Sequence, residues 1–229
     1  PPVYCVGPLI AEGAEEEERH PCLPWLDAQP EGSVVYICFG SRCTASLEQI
    51  REMSKGLEMS AHRFLWVLRA PPAFAAVAGE PDATLSLLPE GFLARTAGRG
   101  LVVTASWVPQ MDVLRHASTG TFITHCGWNS TLEAAATGVP MVCWPFFVDQ
   151  QTNSRFMAAV WGTGLDMKDV CERAVVERMV REAMESVELR RSAQALAQQV
   201  RQNIAHGGSS AEEFKRLVGF INELSISTR

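Results

Sequence analysis

The residues SVVYICF at positions 33–39, closed by Gly40 and Ser41, constrain this chain more than any other stretch. The run is apolar with no alternation, so an extended segment there must be covered on both faces. A parallel sheet does this, because its crossovers lay helices on both sides. Ser46 with Gln49 three residues later reads as a capping box, and Leu47, Ile50, Met53 and Leu57 then recur at helical spacing. The same alternation continues with strands expected at 63–69, 101–106, 120–124 and 139–144, and short helices at 111–116 and 130–137. Strands spaced by helices predict a layered α/β domain with a parallel sheet and right-handed crossovers. Beyond Asp149 we expect a helix at 152–161, a brief strand at 164–166, helices at 172–187 and 189–204, and a Gly207-Gly208-Ser209-Ser210 stop before a last helix at 211–224.

Composition narrows the class. Hydrophobic residues are 47% and charged residues 20% of 229, which suits a globular protein with a large core. The formal net charge of -6 gives no field that favours nucleic acid, though it does not forbid a phosphate ligand, since helix N-termini bind phosphate without net charge. The seven cysteines show no paired spacing, which predicts free thiols in a reducing compartment. No apolar run reaches the roughly 18 residues that a membrane span needs. AEGAEEEERH at 11–20 reads as a solvated linker and the residues 23–27 as a tether docked on the surface. The chain does not begin with Met, and we expect it to be a piece of a longer protein.

In an open parallel sheet, ligands bind beyond the C-terminal ends of the strands. Three loops there are chemically loaded. Phe39-Gly40-Ser41 can bring backbone and hydroxyl close to a phosphate, or can be a plain turn. His125-Cys126-Gly127-Trp128-Asn129-Ser130 places Asn129 or Ser130 near a helix N-cap, where open amides and the helix dipole favour an anion, and His125 can donate a ring proton to it. A diphosphate suits this loop better than a metal, because His125 and Cys126 on one extended strand cannot both face one ion. Glu133 suits either paired ribose hydroxyls or a capping box with Ser130. Asp149 and Gln150, where an apolar strand ends, can grip sugar hydroxyls, or Asp149 can cap the next helix. Trp107 offers a plane for a base to stack on, or is a core residue.

Together the residues WVPQMDVLRHASTGTFITHCGWNSTLEAAATGVPMVCWPFFVDQ, from Trp107 to Gln150, closely resemble the signature of plant family-1 UDP-glycosyltransferases. The resemblance extends to Phe39-Gly40-Ser41, to LPEGF at 88–92 and to the GGSS turn. It implies a Rossmann-like parallel sheet flanked by helices, the C-terminal half of a two-domain GT-B enzyme. Within that half it implies a linker and tether over 1–31, a UDP-sugar-binding domain over 32–206, and a C-terminal helix over 207–229 that packs on the N-terminal domain.

Carried over by position, the resemblance stacks uracil on Trp107 and reads its edge with the backbone of Val108. It gives ribose to Gln110 and Glu133, and the diphosphate to Ser41, His125, Gly127, Asn129 and Ser130. The sugar falls to Trp128, Asp149 and Gln150, and glutamine at the last position goes with UDP-glucose. The implied reaction is inverting transfer of glucose to a hydroxyl of a small hydrophobic metabolite. Its general base, a histidine supported by an aspartate, comes from an N-terminal domain outside this chain, so this half alone is expected to be inactive. Linkage to carbon instead of oxygen, or a binding role without transfer, stays open at this point. No metal and no cofactor beyond the co-substrate UDP-glucose is implied, and the family setting is cytoplasmic.

Overall fold

A computed structural model describes residues 2–10, 19–71, 81–104, 107–168 and 171–227. Six parallel strands form one sheet: β1 (Val34–Cys38), β2 (Arg63–Val67), β3 (Gly100–Val103), β4 (Thr119–Thr124), β5 (Met141–Cys143) and β6 (Gly164–Asp166). Their order is β3-β2-β1-β4-β5-β6. The chain thus builds outward from β1 in one direction, then returns to its other side and builds outward again. The C-terminal ends of β1 and β4 therefore flank the point where the winding reverses, the place where this topology opens a crevice.

The helices are α1 (Cys22–Asp27), α2 (Leu47–Ser60), α3 (Phe92–Arg95), α4 (Gln110–Arg115), α5 (Trp128–Thr137), α6 (Gln150–Arg155), α7 (Arg173–Glu185), α8 (Val187–Ile204) and α9 (Ser209–Ser227). Alternate residues of β1 feed two cores. Val35 and Ile37 pack with Ile50, Met53 and Leu57 of α2 and with Val176 and Val180 of α7. Val34, Tyr36 and Cys38 face Val113 and Leu114 of α4 and Ala134 of α5. This double coverage is why the β1 run shows no polar alternation. On the first face α2 lies so close to α7 that a Cβ on Gly56 would meet Val176 Cβ at 2.5 Å.

The capping box is present: Gln49 N–H donates to Ser46 Oγ at 3.2 Å, and Ser46 N–H donates to Gln49 Oε1 at 2.8 Å. Several boundaries differ from the sequence reading for identifiable reasons. The segment read as a surface tether is α1, and Leu26 within it is fully buried in the core on the α4 side. The helix expected at 152–161 starts at Gln150 and loosens into a π-helical turn over Phe156–Val160. A 3-10 turn (Pro81–Leu87) and α3 went unread, since four residues entered through a left-handed Gly91 carry no helical period. The strand read at 101–106 is β3, and Ala105 and Ser106 lie outside the described residues, as does most of the acidic stretch, 11–18.

At the C-terminus, α9 packs on α8, and the N-terminal residues run beside it, with Tyr4 and Phe220 rings 5.9 Å apart and the Arg216 guanidinium over Tyr4 at 5.8 Å. Phe214, Val218, Ile221 and Leu224 of α9 are exposed. Among the described residues no helix is long and apolar enough to cross a membrane.

Candidate functional site

A cleft of about 460 Å³ opens at the switch point. Its walls include Ser41, Trp107, Val108, Gln110, His125, Gly127, Trp128, Asn129, Ser130, Glu133 and Asp149, all singled out from the sequence. They come from the loops after β1, β3, β4 and β5 and from the starts of α4 and α5, which the topology brings to one end of the sheet. Gln150 is not on the wall. It is buried, its Oε1 accepts from the backbone N–H groups of Phe146 and Phe147 at 2.8 and 3.1 Å, and its Nε2 rests 3.5 Å from Cys43 Sγ.

Two glycines make room for the central imidazole. Gly40 sits at φ +70, and a Cβ there would approach His125 Cε1 to 2.8 Å. A Cβ on Gly127 would drive into His125 Nε2. Both glycines thus pack against the Cε1 and Nε2 atoms of His125. Burial pushes its pKa down to about 4, against an opposing pull from Asp149, so at neutral pH the ring is uncharged and offers a single N–H.

The helix that follows starts earlier than its sequence suggests. Gly127, not Asn129 or Ser130, is the N-cap of α5, and no side chain caps it. Asn129 and Ser130 lie in the first turn, so the leading amides of α5 face the cleft without a side-chain acceptor. Because Ser130 is not the N-cap, a Ser130–Glu133 capping box does not form. Gln110 Nε2 instead donates to Ser130 Oγ at 2.9 Å and to Glu133 Oε2, tying α4 to α5 across the cleft.

Trp107 is 70% exposed, which removes the core reading of this residue. Asp149 occupies the N-cap position of α6 without capping the backbone; its Oδ2 accepts from Asn153 Nδ2 at 2.8 Å. The same Nδ2 donates to Cys126 O at 2.9 Å, locking the loop after β5 to the loop after β4. Both loops carry a non-glycine residue at positive φ, Cys126 at 65 and Val148 at 61, next to His125 and Asp149 respectively. Strained backbone of this kind persists where surrounding structure over-determines it.

The cleft also includes residues the sequence did not single out: Tyr36, Cys38, Val67 and Arg69. Arg69 could have been found from position, since it ends the run RFLWVLR at the C-terminal side of β2. Tyr36 gave no such signal, being embedded in an apolar strand.

Known proteins place this arrangement in a family. The family model for UDP-glucoronosyl and UDP-glucosyl transferase matches residues 6–191. The chain is 46% identical over 213 residues to a myricetin 3-O-rhamnoside 1,2-glucosyltransferase of Crocosmia x crocosmiiflora, covering 92% of this chain and 42% of the relative. It is 43% identical over 220 residues to a 7-deoxyloganetic acid glucosyltransferase of Catharanthus roseus, covering 95% and 44%. The structure of Phytolacca americana UGT2 complexed with UDP-2fluoro-glucose and pterostilbene superposes with a TM-score of 0.83 at 38% identity, over 96% of this chain and 48% of that one. The chain thus spans under half the length of these relatives. It belongs to the plant family-1 UDP-glycosyltransferases and has the Rossmann-like fold of their GT-B C-terminal half.

Proposed function

We propose that this chain binds UDP-glucose and supplies the donor site for inverting transfer of glucose to a hydroxyl of a small hydrophobic plant metabolite, in the cytoplasm. The observation that carries this reading is the convergence of the Trp107–Asp149 residues on one cleft whose central helix, α5, begins without a side-chain cap. An uncapped helix start beside a neutral imidazole N–H suits a diphosphate, because amide donors and the helix dipole act together on an anion.

In this reading uracil stacks on Trp107 and meets the backbone of Val108, and ribose hydroxyls bond to Gln110 and Glu133. Ser41, His125 and the first amides of α5 surround the diphosphate and stabilise charge that develops on UDP as it leaves. Trp128 and Asp149 hold the sugar. Gln150 holds the turn behind them, with Oε1 on the Phe146 and Phe147 amides and Nε2 against Cys43 Sγ, and does not reach the sugar. The acceptor hydroxyl loses its proton to a base on an N-terminal domain, which also covers the exposed face of α9; this half alone does not transfer sugar. Residues 1–21 lead to that domain, 22–206 are the donor domain, since α1 is buried in its core, and 207–229 are the returning helix.

Calorimetric titration with UDP and UDP-glucose, with and without a chelator, tests the reading. We expect metal-independent binding, weakened about tenfold or more in each of His125→Ala and Glu133→Ala, the scale of a lost hydrogen bond to a charged group. Binding that survives both substitutions unchanged would place the nucleotide elsewhere.

A further inference from the structure

Tyr36 occupies a position in β1 where the strand needs only an apolar side chain, yet it carries a hydroxyl to the wall of the cleft. Its ring is fully buried and stacks on Phe122, with centroids 4.9 Å apart and planes within 13°. The hydroxyl faces Gln110, donating to Oε1 at 3.4 Å. The contact is long for an O–H···O bond.

Gln110 has only one sensible orientation in this setting. The Glu133 oxygen accepts from Gln110 Nε2, which also reaches Ser130 Oγ. Oε1 then points at Tyr36. Remove the phenol hydroxyl and Oε1 faces an aromatic wall without a donor, so the amide loses the contact that opposes its rotation. Burial, aided by Cys38, raises the Tyr36 pKa well above its ordinary value, so the hydroxyl keeps its proton for donation.

We propose that Tyr36 is a positioning residue for ribose recognition: its hydroxyl fixes the amide of Gln110, and Gln110 in turn holds Glu133 aimed at the nucleoside. The chain then discriminates ribose from deoxyribose partly through a residue that need not touch the sugar. This rests on the donor-site reading above.

The test is calorimetry of the 229-residue chain and its Tyr36→Phe variant, each with UDP and with 2′-deoxy-UDP. The variant keeps the ring against Phe122, so the packing of β1 survives. We expect UDP affinity to fall about three- to tenfold while 2′-deoxy-UDP affinity changes little, so that the ratio of the two narrows. In a Gln110→Ala background the same substitution is expected to have no effect on UDP, because its route to the ribose is gone. Equal losses for both nucleotides, or an undiminished effect in the Gln110→Ala background, would overturn the proposal and leave the donor site standing. Wild-type chain that bound neither nucleotide would overturn both together.

Discussion

Two helices leave neighbouring strands at the same end of the sheet and start in opposite ways. α2, reached from β1, opens with a complete capping box from Ser46 and Gln49. α5, entered directly from β4, opens on Gly127 with no side chain over its first amides. The first helix satisfies its own backbone and lies against the α7 face; the second leaves its donors to the cleft. A side-chain cap on α5 would stabilise the isolated helix and occupy the place of an anion. Local stability and, on the donor-site reading, binding are thus divided between these two turns: α2 satisfies its own first amides, and α5 leaves its first amides uncapped.

The most severe way to break this comparison is Gly127→Ala. The backbone of Gly127, at φ -60 and ψ 144, accepts any residue, so helix geometry does not object. The added methyl instead collides with the His125 ring and must displace it. UDP affinity is expected to drop on the order of 100-fold, since the imidazole and the neighbouring amides move together. Calorimetry decides it, and affinity within twofold of wild type would show that the packing of His125 against Gly127 is incidental.

The contrast between the two helix starts also marks how much the sequence revealed. Ser46 and Gln49 announce α2 because a capping box is a reciprocal pattern of side chains. α5 has no such announcement: its true cap is a glycine, and Asn129 and Ser130, both good caps by type, drew the expected start inward by two residues. The strands were legible because two-sided burial leaves a continuous apolar run, as in Val34–Cys38. That same continuity hid Tyr36, whose hydroxyl has its meaning only from Gln110, far along the chain. Glu133 was readable as polar and well placed, but whether it served Ser130 or something else depended on α4 arriving across the cleft. Gln150 shows the reverse failure: a side chain of the right chemistry whose carbonyl is consumed by the turn it stands on.

A smaller effect sharpens the other side of the comparison. Ser46→Ala removes the side-chain acceptor for Gln49 N–H and is expected to cost about 1 kcal/mol of stability, read as a shift in denaturant midpoint. UDP affinity should stay within about twofold, because α2 offers the cleft only its preceding Gly40-Ser41 turn. A loss of affinity as large as that of Gly127→Ala would mean the two helix starts are not independent devices.

The smallest expected effect concerns pH, and it follows from what kind of donors α5 and His125 present. Backbone amides do not titrate, and burial holds His125 neutral down to a pKa of about 4. UDP-glucose is the right probe because its diphosphate is esterified at both ends and does not gain a proton near neutrality, as free UDP does. Its affinity is therefore expected to change less than about twofold between pH 8 and pH 6. An imidazole with an ordinary pKa near about 6.5 would give affinity that climbs over that range as the ring gained charge. Such a climb would show that the bound diphosphate raises the His125 pKa enough for the ring to take up a proton from solvent, which would turn a neutral donor into a cation. The same depressed pKa has a signature without ligand. Above pH 6.5 the ring is neutral in both folded and unfolded chains and its contribution is complete. As pH falls from there towards 4, the unfolded chain takes up a proton that the folded chain refuses, so stability drops. His62, whose pKa burial also lowers, adds to that loss in both proteins, so the comparison is with His125→Gln. The wild type should lose stability relative to this variant across that window, and parallel curves would mean His125 titrates as freely as in the unfolded chain.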